Sequence, residues 1–94
     1  MINVEILKMT EKELKNKKGE KKALEKELKE FKMWFKDFES HKGSYIEHHG
    51  HIDYDMQIGV AMEKEWEVKE KIDEVKAEIK ILKKVIKWLK RATC

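Results

Sequence analysis

Proline is absent from this chain of 94 residues, glycine occurs four times, and cysteine once, as Cys94. Without proline nothing kinks or ends a helix by ring sterics. One cysteine excludes a disulfide framework within the chain, so a reducing, cytoplasmic setting is the simplest expectation. Arginine is nearly missing, with Arg91 alone beside 21 lysines. Guanidinium forks are the usual readers of base edges and paired phosphate oxygens. Their scarcity argues against sequence-specific nucleic-acid recognition and leaves diffuse electrostatic attraction open. No run approaches the roughly 20 apolar residues that span a bilayer. Met1-Ile2-Asn3-Val4-Glu5 also lacks the basic region and apolar run of a signal peptide.

Charged residues (44%) and apolar ones (40%) make up most of the chain. The apolar residues are regularly spaced rather than sparse, which fits long helices with ion-paired surfaces and not disorder. Leu14, Leu24, Leu28, Phe31, Phe35 and Phe38 fall in heptad steps of three and four,. Thr10-Glu11-Lys12-Glu13 matches a capping box,. A first helix is therefore expected over 10–41, ending where Gly43 can take a left-handed cap conformation. Lys17 and Lys21 interrupt the ladder around Gly19, so a loose stretch, a kink or a later start near Glu20 is expected there,. Val68, Ile72, Val75, Ile79, Leu82, Ile86 and Leu89 continue the same rhythm without a break and predict a second helix over 61–92.

Run antiparallel, the two ladders match. Phe38 meets Ile58, Leu28 meets Val68, Leu24 meets Ile72, Leu14 meets Leu82 and Leu7 meets Leu89, and the numbers of each pair add to 96. The expected fold is mostly α: one domain, an antiparallel two-helix coiled-coil hairpin that assembles into an oligomeric helical bundle.

Between the helices the period changes to two. Ile52, Tyr54, Met56, Ile58 and Val60 alternate with polar residues or glycine, and Ser44-Tyr45-Ile46-Glu47 offers a partner strand,. A turn at His48-His49-Gly50, with Gly50 at positive φ, would make 44–60 a small β-hairpin. The alternative is a second helix beginning near Asp53. Residues 1–9 read as an N-terminal extension or short strand. Helix, β-hairpin, helix resembles in topology the β-type subunits of prefoldin chaperones, with no motif shared.

Charge is unevenly distributed. Residues 1–22 hold seven lysines and four glutamates, net +3, and residues 76–94 hold six lysines, Arg91 and one glutamate, net +6. Residues 23–75 hold eight lysines and fourteen acids, net −6. In a hairpin the two basic segments meet at the open end, which predicts a salt-sensitive seat for anions. Its candidate residues are Lys17, Lys18, Lys21, Lys22, Lys80, Lys83, Lys84, Lys87, Lys90 and Arg91. Lysines on a helical bundle are more often a solvated face. Candidate partner-binding residues are the apolar ones off the main ladder, Trp34, Tyr45, Tyr54, Met56, Trp66, Ile81, Val85 and Trp88, because a two-helix hairpin shelters only one seam. Ala77, Ala92, Met33 and Met62 lie among them.

His41, His48, His49, His51, Asp53 and Asp55 gather near the middle of the chain. His49-Gly50-His51-Ile52-Asp53 resembles the H-x-H-x-D run of metallo-hydrolases, but Tyr54 stands where that pattern continues with histidine. On a strand, His49, His51 and Asp53 would share a face and form a weak zinc or nickel site. A polar turn is the plainer reading, and no metal or other cofactor is expected. With no phosphate loop, paired cysteines or nucleophile elbow, the chain is expected to be no enzyme and to have no small-molecule substrate. It reads as a protein-binding module, an adaptor or inhibitor with a protein partner and a second copy of itself. Its composition is shared with small proteins of phages and mobile elements. The alternative is binding of nucleic acid or an anionic membrane through the basic end.

Overall fold

A computed structural model describes the backbone of residues 2–93 and the side chains of residues 4–92. Helix α1 spans Ile2–Ser40, α2 spans Lys42–His49 and α3 spans His51–Thr93. Among the described residues there is no strand. α1 packs along α3, and α2 packs chiefly against the start of α3, giving a rod of 68 × 16 × 14 Å. At 1.5 Å per residue, 39 and 43 helical residues come to about 58 and 64 Å,. The rod is thus two long helices side by side.

The register follows the predicted pairing. Lys17, which should face Ile79, reaches its neighbour Glu78 at 2.6 Å. The Lys64 ammonium, beside Glu65, lies 5.8 Å from the centre of the Phe31 ring. The buried residues are Tyr54, Ala61, Val68, Ile72, Val75, Ile79, Ile86 and Leu89, all on α3. The α1 ladder residues opposite them are half-buried. A seam one helix deep cannot enclose both sides, so no side chain falls below 2% exposure among the described residues.

Several expectations about local structure are corrected. α1 does not start at Thr10. It runs from Ile2, and Thr10 sits mid-helix with its hydroxyl donating to the Ile6 carbonyl at 2.7 Å. The heptad phase extends back through Leu7, and this ladder outweighs the local cap signal. α1 also runs unbroken through Gly19, where an added Cβ would meet open space. Lys17 takes its ladder position by lying along the seam and pairing with Glu78 and with Glu20 at 3.5 Å. Long lysine stems cover apolar surface while the ammonium stays wet.

Residues 44–60 do not form a β-hairpin; they belong to α2 and the first turns of α3. The topological likeness to prefoldin subunits goes with it. Alternation of apolar residues over 52–60 misleads because Tyr54, Ile58 and Ala61 continue the α3 ladder, while Ile52, Met56 and Val60 point outward. Gly43 lies inside α2 and caps nothing. Gly50 is the positive-φ residue, at φ 89° and ψ 164°, and joins α2 to α3. Its N–H donates to Ile46 O at 2.8 Å and its carbonyl accepts from Tyr54 N at 3.2 Å, so the junction leaves neither group idle,.

Candidate functional surfaces at the open end and the turn

The turn is closed by aromatic rings. Phe38 stacks on Tyr54 at 5.5 Å and on Trp34 at 5.4 Å, and meets Tyr45 edge-on at 5.0 Å. The Tyr45 hydroxyl donates to the Asp53 carboxylate across the Gly50 junction. That bond, burial and the negative charge of Asp53 together hold the Tyr45 phenol above its usual pKa, the hydrogen bond being the largest cause,. Tyr54 is 6% exposed, with the Lys42 ammonium 5.3 Å from its ring centre. Its expected part in partner binding is therefore corrected: Tyr54 is core, and a partner could reach it only by opening the turn. Tyr45 is half-buried and serves the same closure.

The histidines do not converge. Helical backbone and the Gly50 break replace the strand on which His49, His51 and Asp53 would have shared a face. His49 lies against the Tyr45 ring at 4.6 Å, and Asp53 is taken by the Tyr45 hydroxyl. Among the described residues no three histidine, cysteine, aspartate or glutamate side chains are placed to hold a metal.

The remaining candidates lie outside the seam. Trp34 is 50% exposed, Trp66 63% and Trp88 67%. Met56, Ile81 and Val85 are exposed as well. They do not form one patch. Trp34 and Val60 border a groove of about 280 Å³ with Phe31, Gln57, Ala61 and Lys64. On the other flank near the turn, Met62 lines a groove of about 450 Å³ floored by Phe35, Tyr54 and Ile58 and edged by Glu39, Asp55 and Glu65.

At the open end the two flanks are sharply different, and a simple rule describes them. In α3 each ladder residue from Val75 onward is followed by lysine: Lys76, Lys80, Lys83, Lys87 and Lys90. In α1 the residues following Leu7, Leu14, Lys17 and Lys21 are Lys8, Lys15, Lys18 and Lys22. A residue just after a ladder position lies on one flank of the seam, and antiparallel pairing brings the matching flanks of both helices together. The contacts agree. Lys18, Lys21 and Lys22 share a groove of about 350 Å³ with Ile79 and Lys83. Glu11 reaches Lys90 at 3.9 Å across the seam, and Lys21 meets Glu25 at 3.7 Å. Glu11 is the one acid within this lysine flank among the described residues, with Glu25 and Asp73 at its inner edge.

The residues just before the ladder positions lie on the opposite flank. There Ile81, Val85 and Trp88 of α3 join Ile6 and Met9 of α1, all exposed, with Glu13 and Glu78 at the inner edge. Of the predicted anion-binding residues, Lys18, Lys21, Lys22, Lys80, Lys83, Lys87 and Lys90 thus share the lysine flank. Lys84 and Arg91 point away from the seam. Lys17 lies toward the opposite flank, where the Glu78 hydrogen bond is the largest of the causes that raise its pKa. Composition alone missed Lys8, Lys15 and Lys76 for the basic surface and Ile6 and Met9 for the apolar one; heptad phase carried through both ends finds them. Among the described residues no helix is long and apolar enough to cross a membrane. No known protein family, curated protein sequence or solved structure matches the chain.

Proposed function

We propose that this chain is a small, non-enzymatic protein-binding module, an adaptor or inhibitor, that docks through the apolar flank of its open end. The observation that carries the reading is that all three tryptophans stay outside the seam, with Trp88 in a patch with Ile81, Val85, Ile6 and Met9. Tryptophan is enriched in binding hot spots and costly to leave in water. The surface area points the same way. The described structure exposes 7718 Å², against roughly 5,700 Å² for a compact monomer of this mass. The difference, about 2,000 Å², comes from the elongated rod and exceeds the roughly 800 Å² that each partner contributes to a standard interface. A second copy uses this patch too: two hairpins packed on it would form a helical bundle at their open ends, with both lysine flanks turned outward.

The test combines solution mass with capture. Sedimentation of the purified chain over a range of concentrations reports self-association, and capture from the native host identifies a foreign partner. Trp88→Ala is expected to abolish both while far-ultraviolet circular dichroism stays unchanged. Self-association and capture that survive in both Trp88→Ala and Ile81→Ala overturn the reading.

A further inference from the structure

We propose that the lysine flank of the open end is a seat for the phosphate backbone of duplex nucleic acid, gripped without regard to base sequence, while the apolar flank behind it stays free. The first ground is the segregation. Ten lysines fall on one flank, five from α1 and five from α3, in two facing rows; Ile81, Val85 and Trp88 lie on the other. From Lys76 to Lys90 the α3 row runs about 21 Å at 1.5 Å per residue. Duplex DNA carries one charge per roughly 1.7 Å of axis, so several phosphates lie within reach of the two rows.

The same layout selects among anionic partners. A membrane-surface helix needs its apolar residues beside its lysines, so that one face enters the lipid while the cations meet the headgroups. Here Ile81, Val85 and Trp88 point away from the lysine rows, and the exposed apolar residues on the lysine side, Val4, Met62 and Trp66, lie beyond the ends of the rows rather than among them. Single-stranded nucleic acid is held by stacking bases on aromatic rings. The lysine flank carries no aromatic side chain among the described residues. Base readout in the major groove relies on arginine and amide forks, and among the described residues the flank offers ammonium groups and the single carboxylate of Glu11, with no guanidinium or amide. The acidic half of a second copy is a poor fit as well. Toward the turn, the flank that continues this one carries Lys29, Lys32, Lys36 and Lys69 against Glu25, Glu39, Asp55 and Asp73, with no excess of negative charge.

The experiment is fluorescence anisotropy of a labelled duplex of about 20 base pairs and mixed sequence, titrated with the full chain from about 50 to 200 mM salt. Contact with about five phosphates gives a log–log salt slope near −4 to −5. The paired variant Lys83→Glu with Lys87→Glu is expected to weaken binding at least tenfold and flatten the slope by about two units. A second paired variant, Lys26→Glu with Lys71→Glu, changes net charge equally but lies off the flank, and is expected to bind within about threefold of the parent. Circular dichroism of both checks that the hairpin is intact. Three results overturn the proposal: no duplex binding at the lowest salt, equal loss in both paired variants, or a preference for single strands or anionic phosphatidylserine vesicles over the duplex. None of these bears on Trp88-dependent association, so the protein-binding reading stands or falls separately.

Discussion

Ile72→Ala and Ile81→Ala delete the same atoms nine residues apart on α3, and the hairpin assigns them opposite fates. Ile72 is 6% exposed and faces Leu24; Ile81 is 61% exposed. Truncating a buried isoleucine costs about 2–5 kcal/mol, depending on how far the site collapses. Here Leu24 opposite is itself half-buried, so solvent and neighbouring side chains fill the gap easily. The low end, about 2–3 kcal/mol, applies, a shift of about 30- to 140-fold in the unfolding equilibrium. Ile81 loses almost no burial in the isolated hairpin, and alanine is the better helix former, so its substitution should change stability by at most about 0.5 kcal/mol. Urea denaturation followed by circular dichroism measures both. Carried out at two protein concentrations, it also separates the seam from an interface: a cost for Ile81→Ala that grows with concentration reports association through the apolar flank. An equal cost for both variants in dilute solution would place Ile81 in the seam and refute the pairing described here.

Two further outcomes follow from the turn and from α1. Gly50→Ala forces a side chain into φ 89°, ψ 164°, a region open in practice only to glycine, and should destabilise the fold by about 1–3 kcal/mol; Gly19→Ala, with open space around its Cβ, should stabilise by about 1 kcal/mol. Thermal unfolding of both variants checks the pair, and a neutral Gly50→Ala would show a different junction. The Tyr45–Asp53 bond stabilises the fold while the phenol is protonated. Because its folded pKa is raised, that stabilisation is complete below the ordinary tyrosine value of about 10 and is lost as pH climbs through the raised one. Lys17, also raised, loses its contribution in the same alkaline direction, so Tyr45→Phe is the comparison that isolates the phenol. Tyrosinate absorbance should show a late ionisation from Tyr45 that vanishes in the Phe variant.

Much of this protein was legible in the order of its residues. Apolar residues in steps of three and four, from Leu7 to Phe38 and from Ile58 to Leu89, determined two long helices and their antiparallel register. The reason is that a helix presents the same face every seven residues, and two such stripes must bury each other. The lysine after each ladder residue and the apolar residue before it were written there as well, but they acquire meaning only once the seam fixes which way is out. The fate of the ambiguous middle was decided in three dimensions. Alternation over Ile52 to Val60 suits a strand; the ladder through Tyr54, Ile58 and Ala61 suits a helix, and the seam chose the second because only it buries those residues against α1. Tertiary contacts likewise turned Tyr54 from a surface anchor into core, through Phe38 and Tyr45 stacked on it, and parted the histidines that a strand would have aligned. Local pattern sets what each segment can be, and the partner helix, by offering a place to bury one face, selects what it is.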